Sequence, residues 1–333
     1  MADTTHNNRG QSAGLLGIHA MTSLHPGSGT ALGTVDLPVQ RERHTQWPTI
    51  AGSALKGVLR DALRERVRQQ KQLEDEPEVN SGKKQRTARD QANEDRDIVQ
   101  IFGPPTASSS ESAGAVSVTD ARILAFPVRS LKGVFAWVTC PAVLDRLERD
   151  AALANEVVSF PIPPIGPDRC ITHKQCLCRV NDQMVILEEF EFTPEEKGDI
   201  SPAADWIATH LLPADAAFNA TRERMKRHLI LLHDDDFTHF VRYATEVNAR
   251  IGLDYETKTV KNGALFYQEF LPTETVLYSV VMMNASRAKQ GNTAVELMET
   301  LQGYMPGILQ IGGDETTGKG YCGVRLKVST TGS

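Results

Sequence analysis

One carboxylate stands in a glycine-rich stretch that could approach a phosphate closely. Residues 25–42 read HPGSGTALGTVDLPVQRE, and Asp36 is the only acid in it before the terminal Glu42. Glycine lets a backbone come close to a ligand, often a phosphate group. A single acid there could accept a proton or bind a divalent ion. It could equally be a turn-forming residue before Leu-Pro.

A second glycine loop lies near the C-terminus. Residues 313–320 read GDETTGKG and nearly match the phosphate-loop pattern G-x-x-x-x-G-K-[ST]. Gly313, Gly318 and Lys319 fit, but Gly320 stands where the magnesium-binding hydroxyl belongs. The loop is followed by a short alternating segment, whereas a phosphate loop must open a helix. The pattern disfavours nucleotide hydrolysis and favours a loop that cradles a nucleic-acid backbone, with a structural tight turn as the alternative.

Positive charge is concentrated in one helical segment. Residues 53–70, SALKGVLRDALRERVRQQ, have apolar residues at three- and four-residue steps, which predicts a helix with Ser53 as its N-cap. Residues 41–71 contain eight Lys or Arg against three Asp or Glu, within a chain of net charge −6. Ser53, Lys56 and the helix N-terminus could together hold a phosphate. Three arginines, Arg41, Arg43 and Arg60, add charge nearby, as does Arg64.

Two further clusters contain residue types that bind metals. The segment CITHKQCLC at 170–178 could bind zinc, although its spacing is tighter than in common structural sites, and free thiols in a loop are the favoured interpretation. The segment HDDDFTH at 233–239 is interpreted as a solvated acidic turn that caps a helix. The cysteines number five, which favours a reducing cytoplasm over a disulfide framework.

The elements that must position these residues are mixed strands and helices. Strands are predicted at 14–23, in AVSVTDARILAFPV and GVFAWVTC, and in GALFYQEFLP, TVLYSVVMMN and YCGVRLKV. Helices are predicted in PAVLDRLERDAALA, DWIATHLL, RERMKRHLILL and TAVELMETLQGYM. Strands and helices do not alternate regularly, which argues for an α+β fold with antiparallel strands. No apolar run of 18 residues occurs, so no membrane span is expected.

Three stretches, in this order, resemble one known family. They are HPGSGTALGTVDLPVQRERHTQWPTIAGSALKGVLR at 25–60, GAVSVTDARILAFPVRS at 114–130 and LQIGGDETTGKGYCGV at 309–324. The sequence resembles the RAMP superfamily of CRISPR proteins, in its Cas-seven group, and is most similar to backbone subunits of type III-B effectors. The resemblance spans most of the chain. The charged insertion at 72–97 and the polar N-terminal tail are interpreted as features of this chain alone.

The resemblance implies a fold and an assembly. It implies an RRM-like (ferredoxin-like) core with an inserted thumb hairpin and helical elements, in a single domain over 14–330. We expect a disordered tail at 1–13, an exposed and partly disordered insertion at 72–97, and the thumb within 160–195. In the family, copies stack as a helical filament along a guide crRNA, and the thumb interrupts the guide–target duplex at every sixth nucleotide. The implied partners are guide and target RNA, copies of the chain and other subunits of the complex, in cytoplasmic antiviral defence.

The resemblance also implies a reaction, which is endonucleolytic cleavage of target RNA. The family's cutting residue is the Asp of G-x-V-D-x-P, which is Asp36 here, assisted by a divalent ion (Mg or Mn). RNA can be cleaved by its own 2′-OH once the strand is held in line, so that one carboxylate can suffice. His25 and Glu269 are further candidates for acid or base. Contacts to RNA are expected from Ser53, Lys56, Arg41, Arg43, Arg60, Gly312, Gly313, Gly318 and Lys319. The rival readings are a non-catalytic RNA-binding scaffold and a stand-alone RAMP endoribonuclease.

Overall fold

The structure, a computed structural model, describes most of the 333-residue chain. The described residues are 11–31, 33–76, 85–105, 113–181, 183–288 and 291–329. The predicted tail therefore lies outside the described residues up to residue 10. From Gln11 onward the chain is a strand, so β1 begins three residues before the predicted domain start.

The elements follow one another as a mixture of strands and helices. The strands are β1 (Gln11–Ala20), β2 (Thr49–Ile50), β3 (Val116–Val118), β4 (Ala121–Arg129), β5 (Phe135–Thr139), β6 (Arg169–Thr172), β7 (Arg179–Val180), β8 (Met184–Leu187), β9 (Phe190–Pro194), β10 (Leu229–Leu232), β11 (Glu246–Leu253), β12 (Val260–Phe270), β13 (Val276–Asn284), β14 (Ile308–Gln310) and β15 (Tyr321–Val328). The helices are α1 (Gly52–Gln70), α2 (Ala88–Asn93), α3 (Arg96–Phe102), α4 (Pro141–Leu153), α5 (Ser201–His210), α6 (Asn219–His228), α7 (Asp234–Tyr243) and α8 (Ala294–Tyr304).

The centre of the main sheet is a β-α-β-β-α-β unit. Its strands lie in the order β15-β1-β13-β4, all antiparallel, with α1 following β1 and α8 following β13. This element order is that of a ferredoxin-like unit. The α+β class predicted from the sequence is confirmed.

Both faces of this central sheet are covered. On one face a methyl group on Gly17 would lie only 2.0 Å from the Leu211 carbonyl oxygen, so the end of α5 presses directly on β1. Tyr278, which pairs with Gly17, donates its hydroxyl to Asp150 of α4 at 2.7 Å. The alternate residues of β1, such as Leu16, point to the other face and are also fully buried. At these positions both faces of the core sheet are packed against the protein.

The insertion between β4 and β13 extends the sheet and adds a separate hairpin. Strands β5, β10, β6, β9, β8 and β7 continue the main sheet beyond β4. The thumb is predicted within 160–195, and the strands of that segment, β6 to β9, are held in this sheet by β10. A two-stranded sheet of its own is formed instead by β11 and β12 over residues 246–270.

The predicted helices mostly form, with local corrections. Helix α1 buries Leu55, Leu59 and Leu63, as its periodicity predicts, but its N-cap is Ala51 rather than Ser53, and it has no side-chain cap. The helix predicted over RERMKRHLILL ends at His228, and its last four residues form the buried strand β10. A short run of buried apolar residues fits a helix or a strand equally well, and here two neighbouring strands pair with it.

The described part of the charged segment at 72–97 contains helical structure. Residues 77–84 lie outside the described residues, but α2 and the start of α3 fall within this segment. Ala92 is fully buried against the core, and Thr87 and Asp90 form a capping box at the start of α2. Among the described residues, no helix is long and apolar enough to cross a membrane.

Candidate RNA-cleavage site

The glycine-rich loop at 25–36 is fastened at both ends to the last residues of β12. Leu24 and Leu271 exchange backbone hydrogen bonds at 2.9 and 2.8 Å before the loop. After it, Leu37 donates its N–H to the Tyr267 carbonyl at 3.0 Å and accepts from the Glu269 N–H at 3.0 Å. The loop therefore begins and ends beside the same end of β12. Its tip, at 27–31, is exposed.

Asp36 lies at the returning end of the loop and is half-buried. Its Oδ2 accepts a hydrogen bond from the Tyr267 backbone N–H at 2.7 Å. Its own N–H donates to the Tyr267 carbonyl at 3.1 Å, so the residue is held from both sides. No hydrogen bond from the described residues reaches Oδ1. The carboxylate is thus oriented through one oxygen and keeps the other for a ligand.

His25 lies at the departing end of the loop and is buried. Its Nδ1 donates to the Glu269 carbonyl at 2.7 Å, because a carbonyl can only accept. Its ring packs at 5.4 Å from that of Phe270, between centroids. These contacts attach the loop to β12 and occupy one of the two ring nitrogens.

Glu269 is buried, and both of its carboxylate oxygens accept hydrogen bonds from the protein. Its Oε1 accepts from Arg41 Nη2 at 2.5 Å and from Thr245 Oγ1 at 2.8 Å. Its Oε2 accepts from the Val39 N–H at 3.0 Å. Arg41 also donates to the backbone carbonyls of Gln46 and Val241, so its guanidinium faces the protein. Both side chains hold the chain that follows Asp36.

The second glycine loop, between β14 and β15, packs against the first. The Gly313 N–H donates to the His25 carbonyl at 3.0 Å. Gly312 has φ +82°, and a methyl group on it would lie 2.4 Å from the same oxygen, so only glycine fits there. Asp314 is bound by Arg250 at 2.9 Å and by Gln268 at 2.5 Å, and Lys319 Nζ lies 5.0 Å from the Phe270 ring centroid. The loop opens no helix, as predicted; Gly318 is exposed at the end of its short 3-10 turn.

The residues of α1 predicted to bind RNA differ in availability. Ser53 is exposed at the start of the helix. Lys56 donates to the Val116 carbonyl at 3.1 Å, and burial, together with the nearby Arg60, lowers the pKa of its ammonium group. Arg60 is bound to the Asn93 side chain and the Gly103 carbonyl. Arg43 is exposed.

One residue that the sequence analysis did not single out joins α1 to the loop. Gln40 accepts from the Ala51 N–H at 3.0 Å through Oε1 and donates to the Gly27 carbonyl at 2.9 Å through Nε2. Its backbone N–H donates to the Pro26 carbonyl, and its carbonyl accepts from the Thr49 N–H. No sequence signal marked Gln40, because an isolated glutamine next to charged residues such as Arg41 and Glu42 is typical of a surface.

The structure therefore gathers some predicted residues and separates others. Asp36, His25, Glu269 and the second glycine loop meet at the end of β12. Gln310 at the end of β14 and Glu315 of that loop line an open groove with Gly57 and Asp61 of α1, so the helix borders the same region. Arg41 and Arg60 instead have protein partners.

The two segments with metal-binding residue types, 170–178 and 233–239, are not part of the glycine-rich loop. In the parts of the chain that the structure describes, no group of three or more His, Cys, Asp or Glu side chains could hold a metal ion. Cys170, Cys176 and Cys178 are buried free thiols. The acidic residues after His233 form the first turn of α7, with His233 as the N-cap, which confirms the predicted helix-capping turn.

The fold and this loop arrangement agree with one protein family. The model of the RAMP superfamily matches residues 18–323. The chain belongs to the RAMP superfamily, as its resemblance indicated.

Individual proteins are similar to the chain over nearly its whole length. It is 41% identical over 324 residues to the CRISPR system Cmr endoribonuclease Cmr4 of Pyrococcus furiosus, covering 95% of this chain and 96% of the relative. A crystal structure of oligomeric Cmr4 from the same organism matches with a TM-score of 0.68 at 33% identity, covering 96% of this chain and 99% of the other. A type III-B Cmr-beta complex bound to cognate target RNA contains a chain of the same fold, with a TM-score of 0.66 at 21% identity over 94% of this chain and 96% of the other.

Proposed function

We propose that the chain is a guide-RNA-binding backbone subunit of a type III-B CRISPR complex and cleaves target RNA with Asp36. The observation that carries the proposal is the position of Asp36. Its carboxylate is fixed by the Tyr267 N–H through Oδ2, while Oδ1 stands in an exposed glycine loop. Support for the activity comes from the 41% identical relative, a Cmr endoribonuclease.

The reaction follows from the chemistry of RNA. The 2′-OH of one nucleotide attacks the adjacent phosphorus when attacking and leaving oxygens lie in line, and an A-form duplex does not allow that geometry. In a splayed strand, Oδ1 of Asp36 accepts the 2′-OH proton as the new P–O bond forms. The P–O5′ bond breaks, the 5′-oxygen leaves and takes up a proton from water, and the product carries a 2′,3′-cyclic phosphate. Asp36 does not need to move, because the backbone of β12 holds it.

The other two candidate residues are assigned as positioning residues. His25 holds the loop through the Glu269 carbonyl, and Glu269 holds the segment after Asp36 through Arg41 and Val39. Both oxygens of Glu269 have protein donors, so this carboxylate has little capacity left for a substrate proton.

A divalent ion, Mg or Mn, fits this site only if the substrate provides some of its ligands. The described residues provide one half-buried carboxylate with one unoccupied oxygen, Asp36 Oδ1, rather than a cage of ligands. Magnesium often binds through one or two carboxylates together with substrate phosphates and water. Such an ion would supply positive charge against the phosphate oxygens.

Guide RNA is assigned to the surface formed by the start of α1 and the second glycine loop. Ser53, Arg43 and the partly free Lys56 provide donors on the helix side, and Gly313, Gly318 and Lys319 lie on the loop side. Contacts of this kind recognise phosphates and carry no sequence information, which suits a subunit that accepts any guide. Arg41 and Arg60 are assigned to the protein framework instead.

The hairpin β11–β12, rather than 160–195, is assigned as the thumb that separates the target strand. Cross-strand pairs put Ile251 beside Leu265 and Ala249 beside Tyr267 on one face. Ile251, Leu265 and Tyr267 are exposed, an apolar stripe suited to insertion between bases. Copies of the chain would stack along the guide in the cytoplasm, together with other subunits of the complex, and cut target at six-nucleotide intervals in antiviral defence.

The test compares Asp36→Asn with Asp36→Ala in the assembled complex. The Asn carboxamide oxygen can still accept from Tyr267, so this variant keeps the loop and loses only the charge. We expect target binding to stay and cleavage to fall by roughly 10²-fold or more. Asp205→Asn, on the exposed side of α5, is the matched control.

Each alternative gives a different result in the same assay. Cutting that persists at six-nucleotide spacing in both Asp36 variants would remove the catalytic role. Wild-type complexes that bind target and leave it whole would favour a scaffold. Cleavage of repeat RNA by the isolated chain would favour a stand-alone endoribonuclease.

A further inference from the structure

Two cysteines share one surface turn between β6 and β7. Cys176 and Cys178 are separated by Leu177, and the Arg179 N–H donates to the Cys176 carbonyl at 3.4 Å, which closes the turn. Residues i and i+2 of such a turn have Cα atoms about 5–6 Å apart, within the span that a disulfide bridges. The sequence C-x-C and the turn therefore bring two thiols within reach of each other.

The surroundings of this pair distinguish it from the other cysteines. Cys176, His228 and Ser130 surround the Cys178 side chain, and their interactions with it lower the pKa of its thiol. The interaction with Cys176 makes the largest contribution. Cys178 Sγ also lies 3.6 Å from the Phe135 carbonyl.

The remaining cysteines are inert by comparison. Burial raises the pKa of Cys170 and Cys322 to about 12, and it raises that of Cys140 still further. A thiolate is the form that reacts with oxidants, so these three thiols are protected. His228 is buried beside the pair, and its Nδ1 has no hydrogen-bond partner among the described residues.

We propose that Cys176 and Cys178 form a redox pair that closes to an intramolecular disulfide when a hydroperoxide reaches the turn. Both sulfurs are buried, but Leu177 between them is 60% exposed, so local opening of this surface turn uncovers them.

The chemistry is balanced in two steps. The Cys178 thiolate attacks the outer oxygen of the peroxide; the O–O bond breaks, and the leaving alkoxide takes up the proton that Cys178 released. Cys176 then attacks the resulting sulfenic sulfur, loses its proton and displaces water. Two thiols are oxidised, and one hydroperoxide is reduced to an alcohol and water. A small thiol reductant reverses the closure by exchange.

The chain provides a direct readout of the bond. Lys174 and Arg179 bracket the pair, so trypsin releases residues 175–179 as one peptide containing both cysteines. We would treat the folded full-length chain with tert-butyl hydroperoxide, alkylate the remaining thiols and digest it. The expected peptide carries no alkyl group and is lighter by two hydrogen atoms, and reductant restores double alkylation. Of the five thiols, two are lost.

Variants separate the pair from general oxidation. Cys322→Ser, which removes a buried thiol outside the pair, should leave closure unchanged. In Cys176→Ser, Cys178 should stop at the sulfenic acid, which a dimedone probe labels. A wild-type peptide that stays doubly alkylated, or a bridge from Cys176 to Cys170, would overturn the proposal. The wild-type measurement does not depend on whether any variant folds.

Discussion

The ion pair between Arg41 and Glu269 supports the segment that follows Asp36, and its removal gives a quantitative test. The two side chains are 16% and 8% exposed, so both charges lie inside the protein. Glu269→Gln keeps the shape and one acceptor oxygen but leaves the Arg41 charge without its partner. We expect the chain to be destabilised and target cleavage to be reduced.

The magnitude follows from the burial of the pair. Breaking one side of a buried ion pair costs about 3–5 kcal/mol. Because Arg41 keeps its bonds to the Gln46 and Val241 carbonyls, we expect the lower limit, about 3 kcal/mol. For a chain of 333 residues that corresponds to a fall in Tm of roughly 4 °C.

A double-mutant cycle identifies the cause. Arg41→Met alone leaves the carboxylate unpaired, with a similar expected cost of about 3 kcal/mol. The double variant contains no unpaired charge, so its cost should be about 2–3 kcal/mol smaller than the sum. Urea unfolding of the four proteins measures this coupling. Glu188→Gln, in the exposed pair with Arg129, should cost under about 1 kcal/mol.

Cleavage by the assembled complexes separates positioning from chemistry. If Glu269 only positions the loop, the double variant should regain much of the cleavage that Glu269→Gln loses. A catalytic carboxylate would not be replaced, and both variants would stay inactive with normal target binding. Additive free energies of unfolding would refute the claim that the pair is buried and coupled.

Two further substitutions test the other parts of the site. Gly312→Ala should destabilise the chain by about 1–3 kcal/mol and slow cleavage, because its methyl group would meet the His25 carbonyl at positive φ. The control is Gly303→Ala, in open space on α8, which should instead stabilise the chain by up to about 1 kcal/mol. Thermal unfolding compares the two variants. Lys56→Met should weaken guide-RNA binding and lower the slope of log K against log salt by about 1, whereas Lys197→Met, at an exposed position, should leave the slope unchanged in a filter-binding titration.

The spacing of apolar residues was sufficient to predict those helices and strands that this spacing alone determines. Helix α1 and the closing strand β15 form where the apolar residues indicate. The LILL segment at 229–232 was misassigned because its partners, β5 and β6, are distant in sequence. The position of the hairpin at 246–270 was missed because a pair of alternating strands carries no mark of whether it joins a larger sheet.

The residues of the candidate site were proposed from the sequence, but their contacts with one another were not. Asp36 and the glycine loops were identified from residue type and family resemblance. That Glu269 would be buried could not be read from the chain, because its partner Arg41 is 228 residues away and covers it only after the loop docks. Charged side chains usually lie in solvent, but Arg41 and Glu269 form an ion pair inside the fold.

Strand β12 belongs to two parts of the molecule at once. It pairs with β11 along its length to form the hairpin, and its last four residues also hold His25, Asp36 and the second glycine loop. A strand of 11 residues is about 35 Å long and stiff along its axis. A displacement of the hairpin tip would therefore reach Tyr267, whose N–H holds the Asp36 carboxylate. The position of the hairpin and the orientation of the carboxylate depend on the same strand.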